Sequence, residues 1–472
     1  MNTTTTRSIV EHLWETSIIP ALTEYIRIPN ESPLFDPEWA QHGHMDKAVE
    51  LARAWVEGLG LAGASVDVLR LPGRTPLLLI EVEGTTPGTV MLYGHLDKQP
   101  PFDGWLTEEG LGPWTPVRRG DRLYGRGGAD DGYAVFAIGA AVQSLQRQGA
   151  PTPRLVALIE CSEESGSPDL PAYIDAAADR IGTPDLVICL DSGCGDYERL
   201  WMTTSLRGLV VGTLRVDVLT EGFHSGDASG IVPSSFRVLR RVLDRLEDPD
   251  SGELLVPALR TEIPPVRVEQ ADEAARVLGH VEAKYPFVEG MRAMSDDPAT
   301  LILNRTWRPT LSVVGVDGVP PVGKAGSVLR PYTALKLSIR IPPGVDPAAG
   351  AEAVREVLEA DPPYGARVRF HPEDGAWGWH APVTAEWLDT SIREASEAFF
   401  GKEPAAVGEG GSIPFMAMLG QRFPQAQFLI TGVLGPKSNA HGPNEFLHLP
   451  MAKALSACVA HVIADMGDMR TE

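Results

Sequence analysis

Apolar residues along this chain follow two rhythms. Thr89–Tyr93, Leu155–Ile159, Leu186–Leu190 and Phe428–Val433 are short, nearly continuous apolar runs, and Leu77–Val82 is a fifth. Runs of that length describe strands covered on both faces. Apolar positions recurring every three or four residues predict helices over 7–27, bent at Pro20, over 44–60, and over Tyr133–Gln148, the last opened by Asp130 and Asp131. Strand runs alternating with helical stretches predict an α/β domain with a mixed, mostly parallel sheet flanked by helices.

The texture changes near Arg207. Leu209–Val218, Thr310–Val316, Ala334–Ile341 and Arg367–Phe370 alternate like half-exposed strands. Ser234–Leu246 and Pro347–Glu359 read as helices, and 247–300 as helices with loops. An antiparallel sheet with helices on one face accounts for this α+β segment. After about Pro382 the first texture returns, with helices Glu386–Phe399 and Met451–Met466. The expected organisation is an α/β domain made of residues 1–206 and 383–472, interrupted by an inserted α+β domain at 207–382.

Composition narrows the classes of function. The 472 residues carry 63 acidic and 41 basic side chains, a net charge of −22. Phosphate-rich partners would be repelled, so neither nucleic acid nor an anionic membrane surface is expected as a partner. No uncharged stretch reaches the ~18 residues of a membrane span, and residues 1–7 lack the apolar run of a signal peptide. Cys161, Cys189, Cys194 and Cys458 show no Cys-x-x-Cys spacing. Reduced thiols in a cytoplasmic protein are the expectation.

Chemistry collects where the strand runs end, which is where open α/β sheets carry their functional groups. Thr89–Tyr93 leads into Gly94-His95-Leu96-Asp97, and Leu155–Ile159 into Glu160-Cys161-Ser162-Glu163-Glu164. Leu186–Leu190 is followed by Asp191, and Phe428–Val433 by a loop with Asn439-Ala440-His441-Gly442. A glycine-rich stretch, Gly125-Arg126-Gly127-Gly128-Ala129-Asp130-Asp131, enters a helix. Imidazoles and carboxylates together suit Zn²⁺, and also Mn²⁺ or Co²⁺. More than four candidate ligands favour two cations bridged by a carboxylate. Taken singly, each group has a plainer reading: a surface histidine, a solvated acid pair, or a carboxylate that caps a turn. Arg340, in an alternating strand, is ordinarily solvent-facing, and Gly410-Gly411-Ser412 is either a tight turn or an anion-binding nest.

Ordered motifs extend through the chain. They run Gly94-His-Leu-Asp-Lys-Gln-Pro100, Asp103-Gly-Trp105, Leu123-Tyr-Gly-Arg-Gly-Gly-Ala-Asp130 and Glu163-Glu-Ser-Gly-Ser167. Then come Phe223-His-Ser-Gly226, Leu337-Ser-Ile-Arg-Ile-Pro342, Glu409-Gly-Gly-Ser-Ile-Pro414 and Ala440-His-Gly-Pro-Asn-Glu445. Together they resemble the di-zinc aminoacylase/carboxypeptidase family of metallopeptidases, within it the branch of carnosinase-like cytosolic non-specific dipeptidases. The resemblance implies that His95, Asp130 and Asp191 hold one metal and that Asp130, Glu164 and His441 hold the other. It implies Glu163 as general base, Asp97 as the group orienting His95, and a cis peptide at Asp130–Asp131. The inserted domain resembles a lid and dimerisation domain, whose His224 stabilises the transition state, commonly from the partner subunit. Arg340, Ser412 and the backbone near Gly410 and Gly411 resemble a pocket for the substrate's carboxylate.

The activity so implied is hydrolysis of small peptides with a free C-terminal carboxylate, by a homodimer joined through the lid. N-acyl amino acid deacylation on the same scaffold is the first alternative, and a catalytically silent peptide-binding protein the second. Two positions depart from the family pattern. The usual Asp-Asn/Asp-Lys-Gly reads Asp130-Asp131-Gly132-Tyr133, so the lysine is absent, and Lys98 stands where a valine is common.

Overall fold

In the computed structural model, which describes residues 1–469, the strand runs near the N-terminus join a strand from near the C-terminus in one six-stranded sheet. Its order is Ala64–Leu69, Leu77–Val82, Arg154–Glu160, Thr89–His95, Leu186–Cys189 and Gln427–Ile430. The last four run parallel, and the first two are antiparallel additions at one edge. Four central strands are apolar on both faces because helices cover both, which is why they read as continuous runs. The edge strand Ala64–Leu69 escapes such a reading, since its residues alternate between partly buried and exposed.

Helix Tyr133–Gln148 is buried at every residue from Tyr133 to Leu145 and packs against Leu449–Met469. The latter is long and apolar enough to cross a membrane, but its Leu455, Cys458, Val459, Val462 and Ile463 are buried among protein side chains. It is a core helix. The expected bend near Pro20 takes a specific form. Helix Thr3–Leu13 continues through a π turn at Trp14–Ile18 into Ile19–Ile26. Proline lacks the N–H that an α-helix would aim at the carbonyl four residues earlier, and a wider turn accommodates the gap. One expectation is corrected. Asp130 and Asp131 do not open the helix, because both have non-helical backbone angles, and Gly132 occupies the cap position.

The chain divides into two compact units, one of residues 1–203, 381–407 and 418–472, the other of 204–380 with 408–417. The second is built on a four-stranded antiparallel sheet in the order Thr310–Asp317, Tyr332–Ile341, Gly208–Asp217, Arg367–Pro372. One face is buried. Val210, Leu214, Val216, Leu337, Ile339 and Phe370 pack with Val238, Leu239 and Val242 of helix Ser235–Leu243 and with Val354 and Leu358 of helix Pro347–Glu359. Along the edge strand, Val313, Val314 and Val316 are exposed.

Asp346 caps helix Pro347–Glu359 by accepting the N–H groups of Ala348 and Ala349 at 2.8 and 3.3 Å. Asp346→Ala is expected to destabilise the second unit by about 1 kcal/mol. A shift of its urea midpoint, followed by circular dichroism, checks this; an unchanged midpoint refutes it.

Candidate metal centre

Five carboxylates and two imidazoles of the first unit converge just past the strand ends. His95 closes the strand Thr89–His95 with a fully buried side chain. Its Nδ1 lies 3.1 Å from the backbone carbonyl oxygen of Asp97 and 3.4 Å from that residue's carboxylate. Its Nε2 has no hydrogen-bond partner and faces Asp130 at 3.4 Å, Asp191 at 3.8 Å and Glu163 at 3.9 Å. Asp97 has a second task. Its two oxygens accept the backbone N–H groups of Glu163 and Glu164 at 3.0 and 2.9 Å, fixing the short turn Glu163–Ser165. Two backbone donors and a nearby imidazole account for a fully buried carboxylate.

Asp130 stands between the histidines, one oxygen toward His95 and the other 3.1 Å from Nε2 of His441. The peptide joining it to Asp131 is cis, and Asp131 accepts the His95 backbone N–H at 3.2 Å. Glu164 lies 3.2 Å from the same His441 nitrogen, and its Oε2 accepts a 2.6 Å bond from Gln99. Donor atoms of His95, Asp130 and Asp191 lie within 4.8 Å of one another, and so do those of Asp130, Glu164 and His441. The two trios share Asp130.

Charge sets the character of this place. Burial and the neighbouring Asp191, Glu164 and Asp97 carboxylates push Glu163 well above the usual carboxylate range, although His95 opposes them. Asp191 is pushed up to about 7 by burial and by Asp130 and Glu164. Burial also favours neutral His95 and His441. The surrounding carboxylates outweigh it, holding His95 well above its ordinary value and His441 at about 11. The acids outnumber the imidazoles, while His95 Nε2 and Glu164 Oε1 are buried without partners. Cations of charge two would offset the surplus and satisfy both atoms, so the donor set fits a divalent metal pair.

A buried ion pair shapes the glycine-rich stretch that carries Asp130. Arg126 donates to Glu445 at 2.7 Å, both side chains almost wholly buried, and to the carbonyls of Gly442 and Pro100 at 2.8 and 3.2 Å. The other oxygen of Glu445 accepts the N–H groups of Gly127 and Ala129 at 3.0 and 3.3 Å. Glycine is required here by contact as well as by angle. A Cβ on Gly132 would lie 2.1 Å from the Tyr25 ring, and one on Gly127, at φ +77°, 2.6 Å from the Lys98 side chain. His441 is more exposed than its partners and lies in the left-handed region at φ +61°.

The remaining expected site residues lie in the second unit. Arg340 donates to the Ser412 hydroxyl at 3.3 Å, and no carboxylate pairs with it among the described residues. Arg207 donates to the carbonyls of Gly410, Asn304 and Arg308, so it supports the loop before Gly411 and Ser412. Burial, with Arg340 and Arg305 close by, pushes Arg207 down to about 10. This corner of the unit is cationic in an acidic chain. Gly411 has open space where a side chain would be. His224 is exposed, and its Nδ1 accepts the Gly226 N–H at 3.1 Å, which leaves Nε2 as the ring's donor.

The sequence pattern of peptidase family M20/M25/M40 matches residues 91–465. The chain belongs to this family. Its relatives include the cysteinylglycine-S-conjugate dipeptidase of Corynebacterium striatum, 30% identical over 448 residues, covering 90% of this chain and 92% of that one. The beta-Ala-His dipeptidase of Homo sapiens is 28% identical over 422 residues, covering 86% and 82%. Among solved structures, the di-peptidase Dug1p of Saccharomyces cerevisiae superposes with a TM-score of 0.74 at 20% identity, covering 99% of each chain. Human carnosine dipeptidase 1 gives 0.72 at 23% identity, covering 99% of this chain and 100% of that one. At those identities the structural likeness speaks for the fold. As an M20-family peptidase, the protein is a metal-dependent hydrolase with a mixed-sheet catalytic part and an α+β insert.

Sequence reasoning gave no role to Arg126 and Glu445, although both stand inside quoted motifs. They lie 319 residues apart, and no local spacing pairs them. Arg126→Met leaves a buried carboxylate unpaired and should cost about 3–5 kcal/mol, whereas Arg126→Met with Glu445→Gln should cost less than the sum of the single changes. Urea unfolding in excess zinc measures the cycle; additive costs would refute the coupling.

Proposed function

We propose that this M20-family peptidase is a dipeptidase that cleaves the amide bond of small substrates with a free C-terminal carboxylate. The observation that carries the reading is the pair of ligand trios sharing Asp130, with Glu163 beside them. His95, Asp130 and Asp191 hold one divalent cation and Asp130, Glu164 and His441 the other. Zinc suits this nitrogen and oxygen donor set best, with manganese or cobalt as alternatives. When bound, such a pair supplies Lewis acidity, making a water acidic enough to attack at neutral pH and polarising the scissile carbonyl.

The chain's own residues do the rest. Glu163 takes the proton of the attacking water and hands it to the leaving amine. A carboxyl whose proton affinity is raised by burial and neighbouring acids is suited to holding a proton between those two events. Asp97 keeps His95 and the Glu163–Glu164 turn in register. His224 donates from Nε2 to the oxyanion that develops on the carbonyl, a role supported by the acceptor position of its Nδ1. Arg340 forks onto the substrate's carboxylate, with Ser412 and the open backbone at Gly411 beside it; a guanidinium without a carboxylate partner supports this role.

We further read the protein as a cytoplasmic homodimer. Four buried cysteines, none in a disulfide among the described residues, support a reducing compartment. The exposed valines of Thr310–Asp317 support association of the second unit with its copy, since an edge strand with an apolar face is suited to pairing.

Metal content and a hydrolysis panel test the function. Two metals per chain with rapid dipeptide cleavage are expected. Faster turnover of N-acyl amino acids would instead assign a deacylase, and bound metals without turnover a silent binder. Glu163→Gln should lower kcat by about 10²–10⁴-fold with both metals retained; retained activity would refute the base assignment. His224→Ala should lower kcat without metal loss. If His224 serves the partner's site, mixing that variant with Glu163→Gln should recover activity, and no recovery despite subunit exchange refutes sharing.

A further inference from the structure

We infer that Lys98 is a positioning residue of the metal centre, locking the end of helix Ile19–Ile26 against the two backbone segments that carry His95 and Asp130. The inference rests on the ligand assignment proposed above and concerns a residue that the assignment does not use.

Lys98 is buried outright. Its Nζ donates to the carbonyls of Tyr25 and Ile28 at 2.9 and 2.7 Å and lies 3.5 Å from that of Ile26. An ammonium has three donors and no acceptor, and the last carbonyls of a helix lack partners within it, so the two match. The same nitrogen sits 4.0 Å from the centre of the Tyr25 ring and 5.3 Å from that of Trp114. A lysine that only closed a helix could do so at the surface, at less desolvation cost. This one is tied to the ligand loops.

Three ties reach the segment His95–Lys98. The Lys98 N–H donates to the Asn30 carbonyl at 3.2 Å, just past the capped helix end. The carbonyl of Leu96, between the metal-facing His95 and Asp97, accepts from both the Tyr25 hydroxyl and the Asn30 amide, each at 2.6 Å. Three further contacts reach the segment that carries Asp130. The Lys98 methylenes lie where a Cβ on Gly127 would be, and Ile26 and Tyr25 press as closely on Gly125 and Gly132. With a valine at this position the apolar contact could persist, but the three-carbonyl lock could not.

Lys98→Met tests the inference in the metal-loaded full-length protein, because it preserves the chain packed on Gly127 and removes the donors. Zinc transfer to a chromogenic chelator should be faster by about tenfold or more, as for other groups that orient metal ligands. At saturating zinc, kcat should fall with KM unchanged. A melting temperature measured at saturating zinc separates this from general loss of stability. A lower melting temperature with wild-type zinc release and kcat would overturn the inference. Tyr25→Phe removes only the hydroxyl held by Leu96 and should speed zinc release in the same direction. If Lys98→Met does not fold, unchanged release in Tyr25→Phe overturns the inference. A wild-type protein that takes up no divalent metal would overturn the ligand assignment and this inference together; wild-type uptake with an indistinguishable Lys98→Met overturns this inference alone.

Discussion

Several carboxylates gathered out of water must be neutralised, and this constraint organises the first unit. Asp97, Asp130, Glu163, Glu164 and Asp191 meet around His95 and His441. Two unit charges 4 Å apart interact by about 4 kcal/mol at a protein's effective dielectric, so the cluster repels itself unless protons, imidazolium or cations intervene. Burial, together with the same repulsion, raises the proton affinities of Asp191 and Glu163. A site that divalent cations neutralise and that retains one carboxyl able to trade a proton is equipped for hydrolysis.

That self-repulsion has to be resisted mechanically, and the support comes from below. Arg126 and Glu445 brace the glycine-rich loop, and Glu445 spends both oxygens doing so. Helix Ile19–Ile26 presses Tyr25 and Ile26 against glycines that have no room for a side chain. Asp97 accepts two backbone N–H groups rather than one imidazole alone. The result is a set of candidate ligands, His95 at a strand end and the others in turns and loops, braced by buried contacts.

Much of this was legible in the residues. Thr89–His95, Arg154–Glu160 and Leu186–Cys189 could be located because burial on both faces demands unbroken apolar runs. The acids and histidines following them could be singled out because strand ends are where such sheets place function. Ala64–Leu69, with Ser65 and Asp67 inside it, and Trp201–Leu206, with Thr203, Thr204 and Ser205, carry too much polarity to read as strands. Asp130 and Asp131 looked like helix-opening acids because their type suits that position, and the backbone there follows another path. Lys98, Arg126 and Glu445 carry no local sign of their burial. A buried charge and a solvated one are the same letter in a sequence, and only the contacts distinguish them.

The division of the first unit into separated stretches of chain also bears on the order of assembly. Its sheet takes the strand Gln427–Ile430 beside Leu186–Cys189, and Arg126 waits for a glutamate 319 residues downstream. At synthesis rates of about 5–20 residues per second, Glu445 emerges roughly 15–60 seconds after Arg126. All four strands of the inserted sheet, the last ending at Pro372, emerge before Gln427–Ile430 does, whereas the nascent catalytic half still carries an unmatched guanidinium and an uncovered parallel edge. The half that bears the chemistry is therefore the one most dependent on protection during translation.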